Sequence, residues 1–470
     1  MKKIGSFIAA ILFTSVLCSS CSDDKTIDPI SNLISDDAVS NLHLKRLYDN
    51  ESPYTLCYEN NDGTTSLYIF TSPIAYYSEE GALVPINNSL ISITDNGMRE
   101  KGYVLENKDC DIKVYFPKNL LNTQFLIQNQ EDTLSFSPAS KLVDIDLKTG
   151  MFTDALGRKL PSVTYQKEGN VQLEYVPTSA GIMANVVISA KPESNTIDFY
   201  IKKQESLSYE NKDNQYILFR DAKKNTSKAV IYTTFLQDAI GSTSFNNTVD
   251  IADENEVWKY TLVLDDEFLK NPNTQYPVTI TPTFELYRNT MPDSTIYENK
   301  PSTNVFLANY AVLGNNEYYG NSLHHLRFRI NYVFKSFEQN VKSASYVTTA
   351  LSNDSAQMSV EMLRLRDVWS STHINWLTRF KTYEEECETT ISKAGRYSFD
   401  ITNFVKACIE DEEWNTEVYG LAMSAADGVK GTKVVATSDN MFYQPYIRID
   451  FYDLPWAFER LNAINPDQGL

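Results

Sequence analysis

Histidines, cysteines and paired carboxylates are the residue types that most often carry chemistry, and this chain places few of them at a useful spacing. It has four histidines, His43, His324, His325 and His373. His324 and His325 are neighbours on an expected strand, so their side chains leave on opposite faces and do not converge on one metal. His373 lies between Trp369 and Trp376, which reads as a packed, hydrogen-bonded histidine rather than a base. No His-Glu-x-x-His, Gly-x-Ser-x-Gly, P-loop or dinucleotide fingerprint occurs. Asp144-x-Asp146 followed by Gly150 has part of a calcium loop, but the glycine is one position late and the closing acid is missing. Structural calcium is left open, and no other cofactor is indicated. A glycoside hydrolase needs only two carboxylates, and 61 acids do not single out a pair. The chain reads as a binder more readily than as a catalyst.

Three expected strands put arginine opposite an apolar face. Leu326, Phe328 and Ile330 alternate with Arg327 and Arg329, and Leu363 and Leu365 alternate with Arg364 and Arg366. Ile447, Ile449 and Phe451 oppose Tyr446, Arg448 and Asp450. If these strands are neighbours, their guanidinium forks make a basic face suited to bidentate contact with carboxylate or sulfate. An acidic polysaccharide is the expected ligand of such a face. The same arginines can instead pair across strands with Glu361, Asp450 and other acids. The second candidate is aromatic. Tyr318 and Tyr319, and Phe442 and Tyr443 after Met441, read as loop tips whose rings stack on sugars, with turn packing as the competing account. Trp369 and Trp376 are assigned to the core.

Cys21 is the one residue with a definite covalent expectation. Met1-Lys2-Lys3, the apolar run 4–17, and Ser19-Ser20 before Cys21 have the layout of an export leader. The run is shorter than the ~20 apolar residues that span a bilayer. The stretch resembles a bacterial lipoprotein signal, although Cys18 stands where leucine is usual. The resemblance implies acylation of Cys21, and Ser22-Asp23-Asp24 resembles a signal for the outer face. The expected location is the outer membrane, lipid-anchored and surface-exposed. The bilayer is then a partner through the acyl chain alone.

A net charge of −19 disfavours nucleic acid, whose phosphates need clustered cations. Four cysteines remain in the body, and sequence spacing offers Cys57–Cys110 and Cys387–Cys408 as disulfides, with buried free thiols as the alternative.

The elements that must position these side chains are strands. Strand-like runs fall at 67–70, 112–116, 171–175, 184–190, 197–201, 216–219, 230–235, 257–264 and 278–280. They resume at 326–330, 345–349, 360–365, 418–423, 433–437 and 446–452. Turn signals such as Asn61-Asp62-Gly63 and Asn96-Gly97 separate them. This density predicts an all-β, multidomain β-sandwich architecture, with a C-terminal jelly-roll-like sandwich containing one short helix. Ile401, Phe404, Val405, Cys408 and Ile409 form that helix's apolar stripe, with Asp400 placed to cap it. The expected organisation is a signal peptide at 1–20 and a polar tether at 21–52 with one helical turn near 42–48. A β-rich module at 53–285, a sandwich at 286–455 and a tail at 456–470 follow.

Two stretches resemble known families. Ser66-Leu-Tyr-Ile-Phe-Thr-Ser-Pro, Gly81-Ala-Leu-Val-Pro-Ile-Asn-Asn, Ile112-Lys-Val-Tyr-Phe-Pro and Tyr276-Pro-Val-Thr-Ile-Thr-Pro resemble the β-rich module of wall-associated and Rhs-type surface proteins. Leu326-Arg-Phe, Val341-Lys-Ser-Ala-Ser-Tyr, Val368-Trp369, Ile374-Asn-Trp376, Tyr397-Ser-Phe-Asp-Ile and Pro445-Tyr-Ile-Arg-Ile resemble the DNRLRE domain, a β-sandwich grouped with carbohydrate-binding module family 96. The late loop departs from that pattern by reading Thr437-Ser-Asp-Asn440. The resemblance implies a non-catalytic, glycan-binding surface protein. The alternative is a structural stalk or front end of a wall-associated or Rhs-like assembly.

Overall fold

The computed structural model describes residues 30–143, 147–165, 169–328, 340–354, 356–380, 383–410, 419–426, 429 and 431–452. Cys21, Arg329, Asp144, Asp146 and the tail 456–470 lie outside these residues. The described chain is all-β, and every strand pairing in its four large sheets is antiparallel.

The N-terminal sandwich packs an eight-stranded sheet on an eleven-stranded one. Its core draws Phe116, Phe125, Phe136 and Phe199 from the first, and Tyr175, Ile182, Phe219 and Phe284 from the second. Phe136 and Phe284 stack across the layers with ring centroids 3.9 Å apart. Val171–Pro177 follows its expected alternation, with Leu173 and Tyr175 buried against that core. The central strands Gly181–Ile188 and Thr283–Leu286 approach so closely at Gly181 that a Cβ there would sit 2.0 Å from the Phe284 carbonyl oxygen. Only glycine fits.

The C-terminal sandwich faces one sheet of Tyr310–Asn315, Gly431–Ala436, Val341–Ala350, Tyr446–Phe451 and Gly395–Asp400 against a six-stranded sheet that includes Asp293–Tyr297, Ser322–Leu326, Leu421–Ala425, Met358–Arg364 and Glu384–Ile391. The expected helix is Thr402–Glu410, with Phe404, Val405, Cys408 and Ile409 buried. Asp400 Oδ1 accepts the Thr402 amide N–H at 3.0 Å, as a cap requires. The chain crosses between sandwiches between Leu286 and Asp293.

Several expectations need correction. Residues 30–52 are not a loose tether. Ile30 and Ile34 are 1% exposed and pack with Tyr68, Phe70 and Tyr446. The turn expected near 42–48 is a strand, His43–Arg46, flanked by short 3-10 turns. It leads into Thr55–Asn60 and Thr65–Phe70, and the latter pairs with Tyr446–Phe451 along its length. Strands from the first part of the expected N-terminal module therefore complete the C-terminal sheet, a pairing between chain ends that no local pattern encodes. Of the strand expected at 326–330, Leu326 ends the strand Ser322–Leu326, Arg327 and Phe328 follow it outside any strand, and 329–330 lie outside the described residues. Among the described residues no disulfide forms, so neither Cys57–Cys110 nor Cys387–Cys408 is bridged. Cys57 and Cys110 belong to different cores.

Candidate functional site

The arginines do not share one face. Ser322–Leu326 and Met358–Arg364 flank Leu421–Ala425 in one sheet, whereas Tyr446–Phe451 lies in the other. Arg364 donates from Nε and Nη2 to Glu386 Oε2 at 3.0 and 2.7 Å. Glu386 Oε1 in turn accepts the Phe404 amide N–H at 2.7 Å, at the start of the helix. Arg366 pairs with Glu384. Arg448 pairs with Asp37, and with Asp450 at 3.3 Å. The Arg327 guanidinium lies over the Trp369 ring, 5.6 Å from its centroid. Both faces of the six-stranded sheet are covered, one by the main core and the other by Leu365, Trp369 and Ile374. Alternation therefore did not mark a solvent face. Ion pairs account for Arg364, Arg366 and Arg448, Arg327 lies over a ring, Arg329 falls outside the described residues, and the basic face expected for an acidic polysaccharide is withdrawn.

Tyr318 and Tyr319 are not loop-tip platforms either. Tyr319 is buried, stacks on Tyr297 at 4.1 Å, and accepts a hydrogen bond from Gln215 Nε2 at 3.0 Å. Tyr318 is half-buried, with Lys300 Nζ 4.1 Å from its ring centroid. Both belong to an aromatic joint in which Tyr216 and Tyr232 of the N-terminal sandwich meet Tyr297 and Tyr310 of the C-terminal one. His373 is hydrogen-bonded to Ser370 and Thr372 but exposed rather than packed. His324 and His325 are fully buried; desolvation lowers both to about 3, so they are neutral. His325 packs on Trp369, while His324 Nε2 lies 3.8 Å from Asp293 Oδ2. Among the described residues no cluster of three or more His, Cys, Asp or Glu side chains could hold a metal.

Phe442 and Tyr443 do reach a cavity. Asn440 Oδ1 accepts the amide N–H groups of Phe442 and Tyr443 at 3.1 and 2.7 Å, and Asn440 Nδ2 donates to the Asn309 carbonyl at 2.8 Å. This turn is fixed by side-chain hydrogen bonds because an asparagine can satisfy the backbone locally. It aims both rings at a loop of the N-terminal sandwich. Tyr443 Oη accepts the Ala155 N–H at 3.1 Å. Arg158 donates to the Phe442 carbonyl at 2.9 Å and to Asp154 Oδ2 at 2.6 Å. Beside the rings opens a cleft of about 450 Å³. The N-terminal sandwich contributes Phe235, Asn185 and Glu285 to it, and the C-terminal sandwich contributes Tyr310, Asn309 and Tyr443. A second hollow of about 350 Å³ shares Thr178, Met441 and Phe442 with it and takes Asn32, Leu33 and Ser35 from the N-terminal segment.

Three buried acids stand at this joint. Thr178 Oγ1 donates to Glu285 Oε1 at 2.9 Å, and accepts the amide N–H groups of Ala180 and Gly181. Burial pushes the Glu285 carboxyl up to about 8, against the smaller opposing pull of the Thr178 hydrogen bond and Arg288. Asp293 and Asp439 are also raised, Asp293 by burial and Asp439 by burial and then by the charge of Asp293. Ser438 and Thr290 hydrogen-bond them. With Asp293 shifted towards its neutral acid and His324 uncharged, their contact is not an ion pair.

Glu285, Asn185, Asn309 and Asn440 were missed as site residues. A lone acid within the apolar run Thr283-Phe-Glu-Leu286 was the available signal for Glu285. The divergent Thr437-Ser-Asp-Asn440 was the signal for the turn, and all four of its residues are buried.

No protein-family model and no curated protein sequence matches this chain. Solved structures that superpose on it include an exo-β-1,3-galactanase from Phanerochaete chrysosporium with β-1,3-galactotriose, at 8% identity over 86% of this chain and 95% of that one, with a TM-score of 0.13. A Bacteroides ovatus mixed-linkage glucan utilization locus protein, SGBP-B, in complex with a mixed-linkage heptasaccharide aligns at 11% identity over 82% and 83%, with a TM-score of 0.11. At these TM-scores the superpositions define no shared fold.

Proposed function

We propose that this is a non-catalytic, lipid-anchored protein of the outer membrane that binds glycan, and that the cleft between its sandwiches is the site. The observation that carries the reading is the cleft's lining. Phe235, Tyr310, Phe442 and Tyr443 offer ring surface, interleaved with carboxamides from Asn185 and Asn309. Ligand sites are commonly clefts of ~300–1,000 Å³ at domain boundaries, where ring faces supply contact area and a few polar groups set orientation. The residue resemblance to the DNRLRE domain supports the same ligand class. The leader and Cys21 support the anchor. Residues 22–29 separate Cys21 from Ile30, a reach of roughly 30 Å when fully extended, so acylation would hold the body close to a bilayer.

The test is a glycan array probed with the mature chain and with Tyr443→Ala, whose folding is checked by its melting temperature. Binding that weakens in the variant is expected. A folded chain that retains no glycan would overturn the reading in favour of the structural one. That second reading has its own support in the aromatic joint, which packs the two sandwiches together as a spacer requires. Palmitate labelling that persists in Cys21→Ser would overturn the anchor.

A further inference from the structure

The chemistry of the cleft also bears on which glycan it takes, an inference that rests on the binding reading above. We infer that the cleft accepts an uncharged saccharide, one without uronate, sulfate or phosphate groups, and that Asn309 is a determinant of that choice.

No lysine, arginine or histidine is among the described residues lining the cleft. Its ionisable carboxyls are those of Glu285 and Asp154. The cations beside them are committed: Arg158 pairs with Asp154, donates to the Phe442 carbonyl and lines the second hollow instead, and Arg288 pairs with Asp111. An anionic sugar would leave water here without a countercharge to replace its hydration.

A sugar hydroxyl is donor and acceptor at once, and so is a carboxamide. Asn185, Asn309, Asn353 and Asn440 line the cleft, with Gln237. Asn440 is used up in holding its turn. Asn309 is not: its Oδ1 is buried without a hydrogen-bond partner, and the residue is 8% exposed. A buried polar atom left unsatisfied is destabilising, so an acceptor of this kind in a cleft wall marks a place for a donor hydroxyl. Glu285 agrees with this chemistry. Its carboxyl is held mainly in the neutral acid form at pH 7, so it does not require a cation in the ligand.

The experiment probes one array of neutral, uronate-bearing and sulfated oligosaccharides with the mature chain, Asn309→Ala and Asn353→Ala. Asn353 is exposed, so its variant keeps a folded protein in the comparison. The expected result is wild-type binding confined to neutral glycans, and affinity lower by about five- to tenfold in Asn309→Ala, the loss of one hydrogen bond. Binding to anionic glycans at equal or higher affinity would overturn this inference and leave the glycan reading standing. Neutral-glycan affinity unchanged in both variants would overturn it too. Silence on all three glycan classes would overturn the glycan reading as well.

Discussion

Ser438 donates both its amide N–H and its hydroxyl to one oxygen of Asp293, at 2.8 and 2.6 Å. Two donors on one buried oxygen are what a carboxyl needs when water is excluded. The contact lets the loop before Phe442 and Tyr443 rest on the first strand of the C-terminal sandwich.

The buried acids make stability depend on pH. Glu285 rises from its ordinary 4.5 to about 8, so the folded chain holds the proton more tightly than the unfolded chain does. Its contribution is complete below pH 4.5 and is lost as the pH climbs towards 8. Asp293 and Asp439 act in the same direction. His324 and His325, lowered from 6.5 to about 3, act oppositely, since their contribution is lost as pH falls through that window. The measurement is therefore a difference. Between pH of about 5 and 9 the wild-type melting temperature should fall relative to that of Glu285→Gln. Parallel curves for the two proteins would contradict the assignment.

The N-terminal segment should behave as part of the fold. Ile34→Ala should cost about 2–4 kcal/mol in denaturant unfolding, from lost burial and the cavity left behind. Asp37→Asn removes one of the two carboxylate partners of the largely buried Arg448 and should cost about 1.5–3 kcal/mol. Neutral effects from both would mean that residues 30–37 do not dock.

The two arginine pairs should separate in strength. The Arg364–Glu386 pair is nearly buried and also caps the helix, whereas the Arg366–Glu384 pair is about half exposed. Arg364→Ala should destabilise by about 3 kcal/mol and Arg366→Ala by less than about 1 kcal/mol. Neither should alter retention on a uronate gel under folding conditions. Loss of retention in folded Arg366→Ala would restore the basic-face reading.

The body thiols should be unreactive and unbridged. Burial pushes Cys57 to about 12, Cys110 to about 11 and Cys387 to about 12, so little thiolate exists at neutral pH. Iodoacetamide should label all four body cysteines after unfolding without reductant and almost none before it. Two unlabelled residues in the unfolded, unreduced chain would reveal a disulfide.

Local pattern carried much of this protein. Alternation located strands such as Val171–Pro177 and Val257–Val263, because a sheet face that packs on a core must repeat every second residue. The stripe from Ile401 to Ile409 specified the helix and its buried side, because the helical period leaves no other face apolar. The opposite orientation of His324 and His325 was also legible, since adjacent strand residues point apart. What those patterns could not supply was the partner of each face. Leu363 and Arg364 alternate as expected, yet both sides of their sheet are covered, one by the sandwich core and one by the Trp369 cluster.

The sequence by itself determined an acidic, all-β chain of sandwiches with one amphipathic helix, because composition and short periodicities act through near neighbours. Tertiary structure alone decided that Thr65–Phe70 pairs with Tyr446–Phe451, that Asp37 neutralises Arg448, and that Asn309, Glu285 and Tyr443 line one cleft. The first two contacts join residues more than three hundred positions apart, and a pairing at such separation is chosen by the packing of the whole sheet, which leaves no mark in the spacing of either segment.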